Sequence, residues 1–519
     1  MESQGVIRSA GVVGFWIMVS RLLGMLRDVS MAAFFGSHIA MDAFVVAFTV
    51  PNLFRSLFGE GALSSAFVPV FTESHEREGL RQVWCFAARL LNLLSATLLV
   101  LTLLGLALAG GALHFWQMSA RLQLIFDLLC IMLPYMLFIC LAAFFSAMLN
   151  SLRRFALPAA VPVVLNLVML AALWLLCPRV PATGDLRMRV MAWSVLVAGL
   201  LQAALPLAVL WRRGFRPRAD CGWRDERVRR VLRLMAAAAL GVGVTQFNVL
   251  ADRILAVWVG AGSPSYLYYA ERLIYLPLGI FATALGTVLL PTLSMHAARA
   301  QTDRICATVN AALRQIIFIT APAALGMLVL ARPIVRVIYQ HGDFSVQAAT
   351  MTAGALACYA PGLVMFSLLK VLVPVFHARQ DMRTPVRVGI ACSLANLALS
   401  LLLMWPLGHM GIALATVLAS VGHVAALAFF VQRQIGPAGW RSVGRSGLRL
   451  LPALAALVLA SGMTHSRLTL AMQTGWRPLP AAIIGLAAAV SAGALAYLLT
   501  ARICRCRELG EMLAAIRHR

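Results

Sequence analysis

Long apolar runs, each closed by a short polar or Arg-rich break, follow one another along the whole chain. The stretch LLNLLSATLLVLTLLGLALAGGALHFW, from Leu90, is longer than the roughly 20 residues that a helix needs to cross about 30 Å of hydrocarbon. Runs of this kind start near residues 10, 42, 84, 122, 156, 190, 232, 266, 308, 346, 386, 410, 448 and 480, which predicts about fourteen transmembrane helices. A span in lipid must satisfy its backbone hydrogen bonds internally, so each is read as a helix. The first run contains Arg21 and Arg27 and is not followed by a small-residue cleavage site, so it is read as the first span and not as a leader.

The pattern repeats. Pro51, Pro134 and Pro158 recur as Pro277, Pro361 and Pro385, at offsets of 226, 227 and 227 residues, and Arg27 falls opposite Arg253 at 226. Such spacing predicts a duplicated bundle of six spans. Each copy holds an even number, so the two keep the same orientation in the membrane. The expected organisation is an N-terminal six-helix bundle over residues 1–212, a basic cytoplasmic linker over 213–230 and a second six-helix bundle over 231–435. Two additional transmembrane helices over 446–503 and a basic cytoplasmic tail over 504–519 complete it. The fold class is thus an all-α polytopic membrane protein, with two pseudo-symmetric bundles around a central cavity plus two C-terminal helices.

Composition agrees: 61% of residues are hydrophobic and 12% charged, with mean hydropathy +0.86, whereas soluble domains carry about 25% charged residues. A net charge of +25 would point to nucleic acid in a soluble protein, but most of these cations lie between spans, so no nucleic-acid partner is expected. In an N-in, C-in topology the cytoplasmic segments hold about 28 cations against about 8 in the outside segments, the asymmetry expected of a cytoplasmic N- and C-terminus. Lys370 is the single lysine beside 43 arginines, so arginine identity alone carries no argument for bidentate chemistry. The ten cysteines are scattered; Cys504 and Cys506 form the one close pair, with no second pair to build a metal site. Reduced thiols, no metal and no cofactor are expected.

Eight cations remain at membrane depth: Arg21, Arg27, Arg55, Arg89, Arg253, Arg272, Arg314 and Lys370. Arg89 and Arg314 lie near span ends, from which a long side chain reaches the interface, and are given no function. Arg21, Arg27, Arg55 and Arg272 together cost on the order of 10 kcal/mol at the centre of a bilayer, so they must face a wet cavity or meet acids. Asp28, Asp42, Glu60, Asp252 and Glu271 are the acids available. Adjacent pairs, Arg27 with Asp28 and Glu271 with Arg272, point to different faces of a helix, so pairing is expected across helices instead. Gly24, Pro51, Gly59, Gly61, Pro277 and Gly286 would permit broken helices beside a cavity. Ser20, Asn52, Ser56, Ser64 and Ser65 add hydrogen-bonding groups, and a cavity rich in cations and hydroxyls suits a phosphate or pyrophosphate bearing sugars. A structural ion-pair network is the competing reading. Asn166 and Asn396, on apolar spans, are read as interhelical hydrogen bonds.

The blocks SRLLGMLRD (20–28), MDAFVVAFTVPNLFRSLFGEGALSSAFVPVF (41–71), YYAERLIYLPLGIFATALGTVLLPTLS (268–294) and KVLVPVFHARQDMRTPV (370–386) resemble the MurJ (MviN) lipid II flippases of the multidrug/oligosaccharidyl-lipid/polysaccharide exporter superfamily. That resemblance, continuous to about residue 435, implies an alternating-access carrier of the inner bacterial membrane. It would act on undecaprenyl-pyrophosphate-linked disaccharide pentapeptide, functioning as a monomer with contacts to cell-wall synthesis proteins. By motif position it implies cavity arginines at Arg21, Arg27, Arg55 and Arg272 and an acidic residue tied to activity at Asp42, with Ser20, Asn52 and Ser56 beside them. A multidrug or cation exporter would present carboxylates to its cargo, and a polysaccharide-repeat exporter is disfavoured by the specific blocks. A membrane enzyme would need acidic metal-binding clusters in its loops, and the densest acidic run, ESHEREG (73–79), reads as a solvated loop.

Overall fold

The computed structural model describes residues 2–58, 63–181, 183–218, 222, 225–436, 439–472 and 478–517. Among them the regular structure is entirely helical. In chain order the helices are α1 (Glu2–Phe35), α2 (Ile39–Leu57), α3 (Leu63–Glu78), α4 (Leu80–Phe115), α5 (Ala120–Met132), α6 (Tyr135–Ser151), α7 (Ala156–Ala171), α8 (Gly184–Arg212), α9 (Glu226–Val259) and α10 (Ser263–Pro277). They continue as α11 (Thr283–Ala298), α12 (Thr302–Val329), α13 (Ala331–Tyr339), α14 (Val346–Tyr359), α15 (Gly362–Ala378), α16 (Arg383–Leu407), α17 (His409–Ile435), α18 (Trp440–Met472), α19 (Pro478–Ile503) and α20 (Arg507–Arg517).

Among the described residues eleven helices are long and apolar enough to cross a membrane, or up to twelve if α14 and α15, bent by 41° at their break, form one span. α1 and the run from α10 to α11 are not among these, and they sit where the first and eighth of the fourteen expected spans begin. α10 and α11, at 15 and 16 residues, are each shorter than a full span.

The repeat is visible in the backbone. Pro134 and Pro361, 227 residues apart, are the N-caps of α6 and α15, with φ of −62° and −61°. Proline lacks the N–H that would continue the preceding helix and clashes with the turn before it, so α5 ends ahead of Pro134 and α14 ahead of Pro361. Ser119 and Ser345, 226 apart, cap α5 and α14, their hydroxyls accepting from the amides of Leu122 and Ala348. α6 and α15 end in the same turn: the Arg154 amide donates to Leu149 O and Arg153 to Asn150 O, while Asp381 donates to Phe376 O and Gln380 to His377 O. Arg153 and Gln380 take the left-handed conformation there, at φ +56° and +60°.

Helix breaks fall differently from expectation. α1 runs unbroken through Gly24, where a Cβ would make ordinary contact with the Asn166 amide at 3.6 Å, and α2 runs through Pro51. After Pro277 the helix widens into a π-helical stretch, Leu278–Ala282, so one of the predicted prolines does mark an irregular turn. Gly59, Glu60 and Gly61 lie outside the described residues, as do parts of the linker, residues 219–221 and 223–224, and the last two residues of the tail.

The chain divides into two compact units, Met1–Val257 and Trp258–Arg519. In the first, α1 packs on α7, α2 on α5, and α8 on α6 and α7. In the second, α16 pairs with α17, α18 with α19, and α18 lies along α12.

Candidate substrate-binding residues

The α1 residues are organised by one asparagine. Arg27 and Asp28 are both buried on α1, at 8% and 3% exposure, and Asn166 faces them from α7. The Arg27 guanidinium donates from Nη1 to Asn166 Oδ1 at 3.0 Å and from Nη2 and Nε to Asp28 Oδ1 at 2.7 and 3.0 Å. Asn166 Nδ2 donates in turn to the Ser20 carbonyl at 3.0 Å. The expectation that neighbours 27 and 28 cannot neutralise each other is corrected here. Their Cβ directions diverge, but the four-bond arginine side chain curls back far enough to reach the adjacent carboxylate. Asn166 acts across helices, as its place on an apolar span suggested.

Arg21 lies half-buried on the same helix, and Ser20 beside it contributes its carbonyl to Asn166. On α2, Arg55 Nε donates to Asn52 Oδ1 at 2.8 Å, one helical turn back. The amide oxygen holds one edge of the guanidinium to the helix. Ser56 is buried at 5% exposure. On α10, the Arg272 guanidinium lies over the Tyr268 ring, 4.7 Å from its centroid, and Tyr359 of α14 donates its hydroxyl to Glu271 at 3.2 Å. The negative face of the ring attracts the cation. The structure thus brings Ser20 and Arg27 together through Asn166, pairs Asn52 with Arg55 on α2, and holds Arg272 on α10 in the second unit.

Asp42 is fully buried in the first turn of α2 and pairs with Arg121 of α5, Oδ2 to Nη2 at 3.0 Å. Arg121 Nη1 also donates to the Val257 carbonyl at 2.9 Å, near the C-terminal end of α9. Sequence reasoning missed Arg121. A signal existed: a cation in the first turn after Ser119 opposes the helix dipole, and such a residue calls for an acid nearby.

Arg89 and Arg314 do not simply reach for the interface. Arg89 pairs with Asp225 of the linker at 3.0 Å, and Arg314 pairs with Glu508 at 2.9 Å and Glu511 at 3.3 Å, both on α20. ESHEREG is likewise the end of α3 with Gly79, not a loop, and its Glu73 and Glu78 pair with Arg230 and Arg227 of α9. Burial would push the Asp225 carboxyl up, but hydrogen bonds from Arg227 and Arg89 outweigh it and hold it below its ordinary value.

A polytopic helical chain that repeats its own turns in two halves has the build of a membrane carrier by class. The chain belongs to the family described as "Lipid II flippase MurJ", whose profile matches residues 31–478. Asp42, Asn52, Arg55, Ser56 and Arg272 fall inside that match; Ser20, Arg21 and Arg27 lie ahead of it. Among its relatives, the "Probable lipid II flippase MurJ" of Vibrio cholerae is 35% identical over 439 residues, 82% of each chain. The "Lipid II flippase MurJ" of Burkholderia cenocepacia is 33% identical over 422 residues, 79% of this chain and 80% of its own. A solved "Lipid II flippase MurJ, inward closed conformation" superposes with a TM-score of 0.77 at 25% identity, covering 95% of this chain and 98% of its own. An inward-facing multidrug transporter of the MATE family in the MOP superfamily gives 0.69 at 11% identity, covering 83% and 98%, which is likeness of fold alone.

Proposed function

We propose that this chain is a lipid II flippase of the bacterial inner membrane, carrying undecaprenyl-pyrophosphate-linked peptidoglycan precursor from the inner to the outer leaflet by alternating access. The family match over residues 31–478 carries the reading. The arginines supply its chemistry: Arg21, Arg27 and Arg55 in the first unit and Arg272 in the second hold the pyrophosphate and sugar headgroup, with Asn52, Ser20 and Ser56 as neutral hydrogen-bonding groups and Asp42 tied to activity through Arg121. A charged headgroup cannot cross hydrocarbon unassisted, whereas the prenyl chain needs no shelter from lipid. The carrier works as a multi-pass monomer with both termini cytoplasmic. It meets cell-wall synthesis proteins on delivery, and no covalent chemistry is required of it.

The fixed positions favour pyrophosphate over a cationic drug. Arg55 is met by the Asn52 amide and Arg272 by the Tyr268 ring, and guanidinium groups recognise phosphate oxygens well. Replacement of Arg272 or Arg55 by Ala, in cells depleted of their own flippase, is expected to abolish growth and to accumulate the undecaprenyl-linked peptidoglycan precursor inside. Normal growth at intact protein level would refute the assignment.

A further inference from the structure

Arg89 on α4 and Arg314 on α12 stand 225 residues apart, close to the 226 to 227 of the repeat, and each grips an acid further along the chain, Asp225 in the linker after the first bundle and Glu508 on α20 after the last two spans. In the first unit Arg89 lies across Gly222, where a Cβ would meet its Cδ at 2.5 Å, and it holds linker residue Asp225, whose side chain is 7% exposed. In the second unit the gripped element is α20. Glu508, 2% exposed, takes Arg314 Nη1 at 2.9 Å and the Ser446 hydroxyl of α18 at 2.6 Å. Burial would raise the Glu508 carboxyl, but its hydrogen bonds from Ser446 and Arg314 hold it below its ordinary value.

The same cluster ties α12 to α18 directly. Arg314 Nε and the Ser442 hydroxyl both donate to Asn310 Oδ1, at 3.1 and 3.5 Å, and Asn310 Nδ2 donates to the Gly439 carbonyl at 2.9 Å. Deeper in the apolar layer Phe318, Leu450, Ala453, Leu457, Tyr497 and Ala501 form one buried cluster, and the Tyr497 hydroxyl donates to Phe318 O at 2.7 Å. Helix pairs in lipid gain no hydrophobic energy from association, because the lipid is as apolar as the partner. Packing of small residues and specific polar bonds must therefore hold α18 and α19 in place, and the Arg314 cluster is where those bonds concentrate.

We propose that Arg314, Glu508 and Ser446 form a latch that fixes α18 and α19 to α12, so that the last two spans ride with the second unit as one body through the transport cycle. Arg314 and Glu508 are then positioning residues for transport, acting through the placement of α18 and never touching the cargo. Transport here rests on the flippase reading; the latch itself does not.

The test uses the full chain in proteoliposomes, with the pair Asn310→Cys and Ser442→Cys, single-cysteine controls for the native thiols, and lipid-linked precursor as cargo. Oxidation to the disulfide is expected to leave translocation at its initial rate. Arg314→Gln is expected to lower translocation about fivefold, within the range that remote couplings span, with Glu508→Gln milder because it keeps the Ser446 bond. The disulfide placed in the Arg314→Gln background should restore the rate. Loss of transport on oxidation, recovered by dithiothreitol, would mean that α18 slides on α12 and would overturn the latch, as would full activity of Arg314→Gln or a disulfide that fails to rescue it. The rate of disulfide formation should fall in the Arg314→Gln protein with no cargo present. A chain that forms the disulfide normally yet moves no precursor would count against the flippase reading alone.

Discussion

Asp42 and Arg121 form an ion pair whose partners are 0% and 15% exposed at their side chains. Two charges removed from water gain little net stability from each other, but removing one leaves the other buried and unpaired. Arg121→Ala is therefore expected to cost about 3 to 5 kcal/mol, because it strands the Asp42 carboxylate and also vacates the Val257 carbonyl. Adding Asp42→Asn should recover much of that loss. Thermal unfolding in detergent of the two single variants and the double variant reads the coupling, and strictly additive losses would show that the pair does not matter to the fold. Asp381 is a contrasting case outside the spans. Burial would raise it, yet bonds from Thr384, Gln434 and the Arg383 amide bring it down to about 2, so its contribution is complete above the ordinary value of 3.8 and is lost as pH falls from there through about 2. Of the residues singled out in sequence, the deep arginines were legible because charge on an apolar run is costly wherever it faces. Their partners were not. Whether Arg27 meets Asp28 or a remote acid depends on side-chain torsions and on Asn166 arriving from α7, 139 residues away, and no periodicity encodes that.

At the scale of elements, the prolines and serines announced their own work. Pro134 with Pro361 and Ser119 with Ser345 begin equivalent helices because a missing N–H and a capping hydroxyl act locally, so spacing alone reveals them. The short helices α3, α13 and α20 were not foreseen, since at 16, 9 and 11 residues they lack the length that makes a span recognisable. Glycine is the other local determinant, and its role depends on what approaches it. Gly408 takes φ +60° at the turn between α16 and α17, and Gly411 then lies against the chain, where a Cβ would sit 2.1 Å from the Leu403 carbonyl oxygen. A backbone atom cannot swing aside as a side-chain tip can. Gly411→Ala should thus force the two helices apart and cost about 1 to 3 kcal/mol, the ordinary range for overpacking. Gly24→Ala, meeting only the Asn166 amide at 3.6 Å, serves as the tolerated control. Comparable thermal stability of the two variants would contradict this account of the α16–α17 turn.

For the whole molecule the charge pattern is the ground on which the N-in, C-in orientation is proposed. Cationic residues crowd the segments that an N-in, C-in chain leaves in the cytoplasm, about 28 against about 8, and translocating a cation-rich segment across an energised membrane is the step that the rule penalises. The structure adds a reason for that crowding beyond topology. Arg227 and Arg230 at the start of α9 are spent on Glu78 and Glu73 at the end of α3, and Arg314 is spent on α20, so part of the basic layer is internal stapling. The charge left over still exceeds what those acids neutralise, and it should decide the sidedness. A green fluorescent protein fused after residue 519 is expected to fluoresce in growing cells, whereas alkaline phosphatase at the same point stays inactive. Phosphatase fused instead in the turn between α1 and α2, after Ser37, should be active, because one span separates it from the cytoplasmic N-terminus. An active C-terminal phosphatase would reverse the orientation and, with it, the leaflet from which the headgroup is taken. Neutralising Arg227 and Arg230 together should leave the sidedness intact while loosening α3 from α9, since the cations of the other cytoplasmic segments remain to hold the chain in register with the membrane.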